Sequence, residues 1–233
     1  MTGEIESFEA LARWKSTDLG VVSPTLFIPV AENTGNIYKV DLEIFKKVLQ
    51  WQKQRHDAGL KLYQVSINIS PSHFYNPAFV ESSIALIESY KIDPKFIKFE
   101  ITESVELENV IRAKKIIDEL QQLGIETSID DFGVGYSSLS YLQELPFKEI
   151  KIDKSFVDDL ANPRMNAVIK TIIQLSDNLN MVSVAEGIET EEQHLELKRL
   201  GCQVGQGYYY YKPMLIEQIN ELLDQQLKTS FSK

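Results

Sequence analysis

The sequence predicts an α/β chain folded as a (β/α) barrel, on three observations. Short runs rich in Ile, Val, Phe and Tyr alternate with longer amphipathic runs, the pattern of a parallel sheet joined by helical crossovers. Seven short runs recur, more than a small doubly wound domain usually has and one fewer than a closed eight-stranded barrel needs. Nearly every short run carries a polar side chain towards its C-terminal end, which in such barrels is the functional face.

The strand-like runs span 8–14, 64–70, 96–104, 125–132, 149–156, 181–189 and 202–211. Their β-branched and aromatic content suits a pleated, buried surface. Residues 40–58 repeat apolar side chains at helical spacing and stop at Gly59; 105–123 do the same and stop at Gly124. Asn162 and Pro163 read as an N-cap and first helical residue opening a helix over 164–179. Thr190 and Gln193 form a capping box before Glu191–Leu200, which ends at Gly201.

At 233 residues, with 43% hydrophobic and 25% charged side chains and no Pro/Gly/Ser-rich linker, the chain reads as one domain with a sizeable core. The net charge of −10 argues against broad binding to a nucleic acid polymer, which needs a basic face. It leaves room for a small phosphate-bearing ligand if local cations or metal invert the field at one site. The single cysteine, Cys202, lies in an apolar run and reads as a buried, inert thiol. No basic-then-apolar leader and no apolar run near the roughly 20 residues of a membrane span are present, so a cytoplasmic location is expected, as a free chain or as part of a larger, membrane-attached protein.

The polar residues of the strand runs are Glu9, Asn68, Glu100, Glu103, Asp130, Asp131, Lys151, Asp153, Glu186, Glu189 and Gln206. Any one of them could be a solvated rim residue or a satisfied core polar group. The whole set is expensive to bury without compensation and points to one shared site. Converging carboxylates repel one another, and Lys151 is the one strand-end cation apart from Arg13 near the rim. Lys151 is also compatible with a plain salt bridge to a neighbouring acid. The donors are all oxygen, with no Cys or His among them, so magnesium or manganese is expected rather than zinc. Several carboxylates with one bridging acid can hold two such ions for in-line attack of water on a phosphodiester. No Ser–His–Asp triad is evident around Ser137, Ser138 and Ser140, and Gly133-Val134-Gly135 lacks the third glycine of a dinucleotide fingerprint. The tyrosines at 208–211 are expected to pack within the last strand, with a stacking surface as the alternative.

These motifs resemble the EAL domain family, in its cyclic di-GMP phosphodiesterase type. Glu9-Ala10-Leu11 with Arg13 and Trp14 resembles the signature that names the family. Pro24, Phe27-Ile28-Pro29, Ala31-Glu32, Asn68 with Ser70, Glu100 to Ser104, Asp130 to Ser138, Lys151-Ile152-Asp153, Ala185 to Glu189 and Gln206-Gly207-Tyr208 follow in the family's order. The resemblance implies a TIM-like (β/α) barrel that hydrolyses cyclic di-GMP to linear pGpG with two Mg or Mn ions. It assigns Glu9, Asn68, Glu100 and Asp130 to one ion, and Asp130 and Asp131 to the second with Glu189 or Glu186 nearby. Glu186 and Lys151 would position or deprotonate the attacking water. Leu11 and Arg13 would contact the ligand, and Gln206 would line the site. Glu103 would hold the loop at 131–138, which the resemblance also links to a homodimer. Val134 stands where the family usually has threonine, and His73 near where glutamine is frequent. Family members usually begin with a helix and a strand ending in a Tyr-Gln-Pro-Ile-like motif. This sequence starts just after it, so a barrel lacking the first helix and strand, from a longer signalling protein, is expected. Alternatives are a receptor that binds cyclic di-GMP without cleaving it, and an enolase-like magnesium barrel.

Overall fold

The computed structural model describes residue 1 and residues 3–103, 110–134 and 139–230. Seven strands form one parallel sheet: β1 (Ser7–Ala10), β4 (Gln64–Asn68), β5 (Ile97–Thr102), β6 (Glu126–Phe132), β7 (Glu149–Ile152), β8 (Val182–Ala185) and β9 (Val204–Gly205). They are hydrogen-bonded in chain order, so β1 and β9 are the two edges among the described residues. The intervening β2 (Trp14–Ser16) and β3 (Gly20–Val22) form a separate antiparallel hairpin. The helices are α1 (Pro24–Asn33), α2 (Ile37–Asp57), α3 (Pro71–Phe74), α4 (Phe79–Tyr90), α5 (Val110–Gln122), α6 (Leu139–Glu144), α7 (Lys154–Asp158), α8 (Pro163–Asn178), α9 (Glu191–Leu200) and α10 (Ile216–Ser230). Among the described residues no helix is long and apolar enough to cross a membrane.

Local chemistry accounts for the helix ends. The Thr190 side chain accepts the Gln193 N–H, and the Gln193 side chain accepts the Thr190 N–H, so the expected capping box is present. Asn162 caps α8 by accepting the Arg164 N–H, with Pro163 in the first turn. Gly201 closes α9 in the left-handed conformation at φ 96°.

Three expectations need correction. The run at 8–14 is not one strand: β1 ends at Ala10, and Trp14 belongs to the hairpin, where its ring meets Phe27 edge-on at 5.7 Å. The run at 149–156 ends at Ile152, because Asp153 turns its carboxylate onto the Ser155 N–H and starts α7. The run at 202–211 keeps only two strand residues. Gly207 lies so close to the Ile188 backbone that a Cβ would fall 2.1 Å from the Ile188 carbonyl oxygen, and the chain turns there. The tyrosines therefore leave the sheet: Tyr210 hydrogen-bonds His194 at 2.7 Å, Tyr209 stacks on the same ring, and Tyr208 and Tyr211 are exposed.

One face of the sheet packs on the helices. Ile67, Phe99, Ile101, Ile129, Ile150 and Ile152 are buried there with Phe45 and Leu49 of α2, Ile117 of α5 and Ile169 of α8. The opposite face is unusual, because barrel interiors are normally filled by branched apolar side chains. Register places Ser66 beside Lys98, Glu100 beside Ser128, and Ser128 beside Glu149. Side chains two residues apart share a face, so β5 presents Lys98 then Glu100, and β7 presents Glu149 then Lys151. The charges are crossed. Lys98 Nζ meets Glu149 Oε2 at 2.6 Å, and one layer higher Lys151 Nζ meets Glu100 Oε2 at 2.7 Å. The two ion pairs span β6, whose Ser128 supplies the small side chain between them. Cys202 is buried, and burial pushes its thiol up to about 11, which matches the inert reading.

The lower pair makes a clear stability prediction. Lys98→Met should destabilise the protein by about 3 kcal/mol in urea denaturation, because it strands the buried Glu149 charge. Adding Glu149→Leu should recover most of that loss.

Candidate active site

The sheet delivers its polar side chains to the ends of β1, β4, β5, β6, β7 and β8. Lys151, 2% exposed, is at the centre. Its ammonium lies 2.7 Å from Glu100 Oε2, 2.7 Å from Glu186 Oε1, 3.0 Å from Asp130 Oδ1 and 3.7 Å from Glu9 Oε2. Glu9 is fixed from both sides: Asn68 Nδ2 donates to its Oε1 at 2.9 Å and Gln206 Nε2 to its Oε2 at 2.5 Å. The Gln206 contact joins the two edge strands of the sheet at the mouth.

Asp130 and Asp131 are neighbours in a strand, where successive side chains should face opposite ways. The β6–β7 register shifts between Ile129 and Phe132, and Asp131 adopts φ 54°, the left-handed region. This bulge re-aims the chain, and Asp130, Asp131 and Glu186 each bring a carboxylate oxygen within 4.8 Å of the others. Asp130 is buried, Glu186 half-buried and Asp131 exposed.

Electrostatics follow from four carboxylates around one ammonium. Burial pushes Glu100 up to about 8, with Lys151 opposing and Glu9 and Asp130 adding. Burial likewise pushes Glu186 up to about 7, Lys151 opposing and Asp130 and Glu9 adding. Glu9 goes the other way. Burial would raise it, but Lys151 and the hydrogen bonds from Gln206 and Asn68 hold it below the ordinary carboxylate range. Burial alone would lower Lys151, yet Glu100, Glu9, Glu186 and Asp130 hold it well above its ordinary value. Partial burial, then Asp130 and Asp153, raises Asp131.

A divalent cation fits this donor set. The oxygens are hard, and the four carboxylates around Lys151 carry more negative charge than one lysine balances.

The other expected residues are placed as follows. Glu103 accepts the Gly133 N–H at 2.9 Å and so grips the first part of the loop after β6; residues 135–138 of that loop, with Ser137 and Ser138, lie outside the described residues. Leu11 and Arg13 are exposed on the segment after β1, where the Arg13 guanidinium donates to the Ala12 carbonyl at 2.8 Å. Glu189 is not gathered with the acid cluster. It pairs with Lys154 Nζ at 2.5 Å, on the rim. Gly187 makes that pairing possible, since a Cβ there would sit 2.3 Å from the Lys154 stem. Asp153 is a residue that sequence reasoning leaves without a role, although its charge acts on Asp131. Its place in the Lys151-Ile152-Asp153 motif is the signal in the residues.

The sequence model for the EAL domain matches residues 1–213. The chain belongs to the EAL domain family. It is 36% identical over 223 residues to cyclic di-GMP phosphodiesterase PA2567 of Pseudomonas aeruginosa, covering 95% of this chain and 38% of that protein. It is 38% identical over 223 residues to the oxygen sensor protein DosP of Escherichia coli, covering 94% and 27%. This EAL chain thus spans well under half the length of those relatives. Among solved structures, PaMucR phosphodiesterase in its c-di-GMP complex superposes with a TM-score of 0.85 at 35% identity, covering 91% of this chain and 86% of that one. The EAL enzyme Bd1971 in its cAMP- and cyclic-di-GMP-bound form gives a TM-score of 0.86 at 35% identity, covering 92% and 59%.

The raised carboxylates set a pH dependence for the metal-free protein. Between about pH 5 and 8 the folded state holds protons on Glu186 and Glu100 that the unfolded chain has released, so stability falls as pH rises through that window. Thermal melts in EDTA should show Tm falling from pH 5.5 to 8, with a shallower fall in Glu186→Gln. Added magnesium should raise Tm more at pH 8 than at pH 6, because the cation takes the ionised carboxylates. A flat or rising metal-free profile would contradict this electrostatic reading.

Proposed function

We propose that this chain hydrolyses one phosphodiester of cyclic di-GMP to linear pGpG, using two magnesium or manganese ions. The observation that carries the reading is the undiminished set Glu9, Asn68, Glu100, Asp130, Asp131, Lys151 and Glu186, brought to one mouth with Lys151 at its centre. Relatives named as cyclic di-GMP phosphodiesterases, and solved relatives titled with that ligand, give the substrate class.

In this reading Glu9, Asn68, Glu100 and Asp130 hold one ion. Asp130 and Asp131 would hold the second, with Glu186 nearby. Glu189, paired with Lys154, supports the loop carrying Glu186 instead of ligating. Bound metal supplies positive charge that keeps the carboxylates ionised and stabilises charge on the phosphodiester oxygens. Glu186, ion-paired with Lys151 at 2.7 Å, would accept the proton of the attacking water, as a carboxylate kept ionised beside cations can. Water oxygen bonds to phosphorus, the P–O3′ bond breaks, and the released 3′ oxygen takes up a proton. The products are a 5′-phosphate and a free 3′-hydroxyl on the linear dinucleotide. Lys151 holds Glu186 in place and balances charge as the phosphorane-like geometry develops. Arg13 and Leu11 contact the ligand at the rim, and Gln206 lines the site while keeping Glu9 oriented. Glu103 holds the start of the loop after β6 in a shape that a homodimer contact can bias.

The test is incubation of the purified chain with cyclic di-GMP and magnesium or manganese, following pGpG by chromatography. Metal-dependent turnover is expected. Glu186→Gln should lower kcat at least about 100-fold while retaining ligand binding. Lys151→Met should also lower turnover steeply, and should shift the acidic limb of the residual pH profile. Tight binding with no turnover by the unmodified chain would overturn the enzyme reading in favour of a receptor.

A further inference from the structure

One buried polar cluster is not explained by the acid cage: Asp41 of α2, with Ser70 and His73 beyond the end of β4. Asp41 is 5% exposed and its Oδ2 gathers three donors. They are the Ser70 backbone N–H at 3.0 Å, the Ser70 hydroxyl at 2.6 Å, and His73 Nδ1 at 3.2 Å. The arrangement is not a catalytic triad, because the serine is bonded to the carboxylate and not to the imidazole. A buried carboxylate with converging donors is a rigid anchor. What it anchors is the short segment that carries Asn68.

That segment is held at two points. Ile69 N–H donates to the Glu100 carbonyl at 2.9 Å, which ties the chain to β5 immediately after Asn68. Ser70 is then the N-cap of α3, its carbonyl accepting from His73 and Phe74. The Ser70 hydroxyl makes no cap bond to α3, since it is committed to Asp41. The Asn68 side chain thus stands one residue before a point fixed to the sheet and two before a point fixed to α2. Its Nδ2 is spent on Glu9 Oε1, so its Oδ1 is the atom left to meet a cation.

We propose that Asp41 is a positioning residue for the metal site: through Ser70 it fixes the end of β4 so that the Asn68 carbonyl oxygen is presented to the ion. The inference rests on the reading of Asn68 as a metal ligand. His73 is the third donor that completes the anchor, with its ring braced edge-on against Phe79 at 5.0 Å. That gives this histidine a specific role in this chain. A carboxylate anchor two residues from a ligand controls affinity as outer-shell partners of metal ligands do, by restricting orientation.

The experiment is manganese binding, followed by the loss of the free-ion EPR signal, for the full chain and its variants. Asp41→Ala should weaken binding about tenfold. Asp41→Asn, which keeps an acceptor for Ser70, should recover most of that loss, and Ser70→Ala should fall between. The decisive comparison is with Asn68→Ala: the Asp41→Ala, Asn68→Ala double variant should bind no more weakly than Asn68→Ala alone, because the anchor acts through that amide. Additive losses, or unchanged affinity in folded Asp41→Ala, would overturn the proposal. Should Asp41→Ala not fold, Ser70→Ala carries the same comparison. If Asn68→Ala itself leaves manganese affinity unchanged, the metal-ligand reading of Asn68 fails instead, and the two failures are separable.

Discussion

The structure depends on one buried ammonium. Lys151 stands among Glu9, Glu100, Asp130 and Glu186, and without it these carboxylates could not share a water-poor mouth. It does not fully compensate them. Glu100 and Glu186 remain pushed towards neutrality. A site that is over-supplied with acid and short of positive charge is unstable alone and well suited to a divalent cation.

The surrounding architecture holds that imbalance in place. Beneath the site, Lys98 and Glu149 repeat the ion pair with the charges exchanged between β5 and β7, so each strand carries one cation and one anion on its inner face. Around the mouth, fixed hydrogen bonds orient side chains and turns: Asn68 and Gln206 on Glu9, Glu103 on Gly133, and Asp41 on the turn after β4. Polar groups in the interior are thus paired across strands that are far apart in sequence, and the helices outside supply the apolar core.

Much of this was legible in the residues. Alternating runs and Gly, Asn and Thr punctuation located the sheet and most helices, and strand-end polarity located the mouth. What the residues alone do not show depends on how the backbone bends in three dimensions. Alternation alone would send Asp130 and Asp131 to opposite faces, and only the β6 bulge with Asp131 in the left-handed region unites them. Glu189 sits in a motif beside Glu186, but the Lys154 stem packed over Gly187 draws it to the rim. The tyrosine run looked like strand because aromatic residues favour sheets, whereas contact between Gly207 and Ile188 ends the strand before it. Asp41 carried no signal at all, since a lone acid in the second turn of an amphipathic helix reads as a solvated side chain.

The central claim, that this cage holds divalent metal under Lys151 control, is tested most directly by manganese-soaked crystals of the chain with cyclic di-GMP, read by anomalous scattering. The account requires an anomalous peak bounded by Asp130, Asp131 and Glu186, with Lys151 still contacting Glu186. Density with no anomalous peak there, or a peak elsewhere with Lys151 alone filling the acid cage, would contradict it.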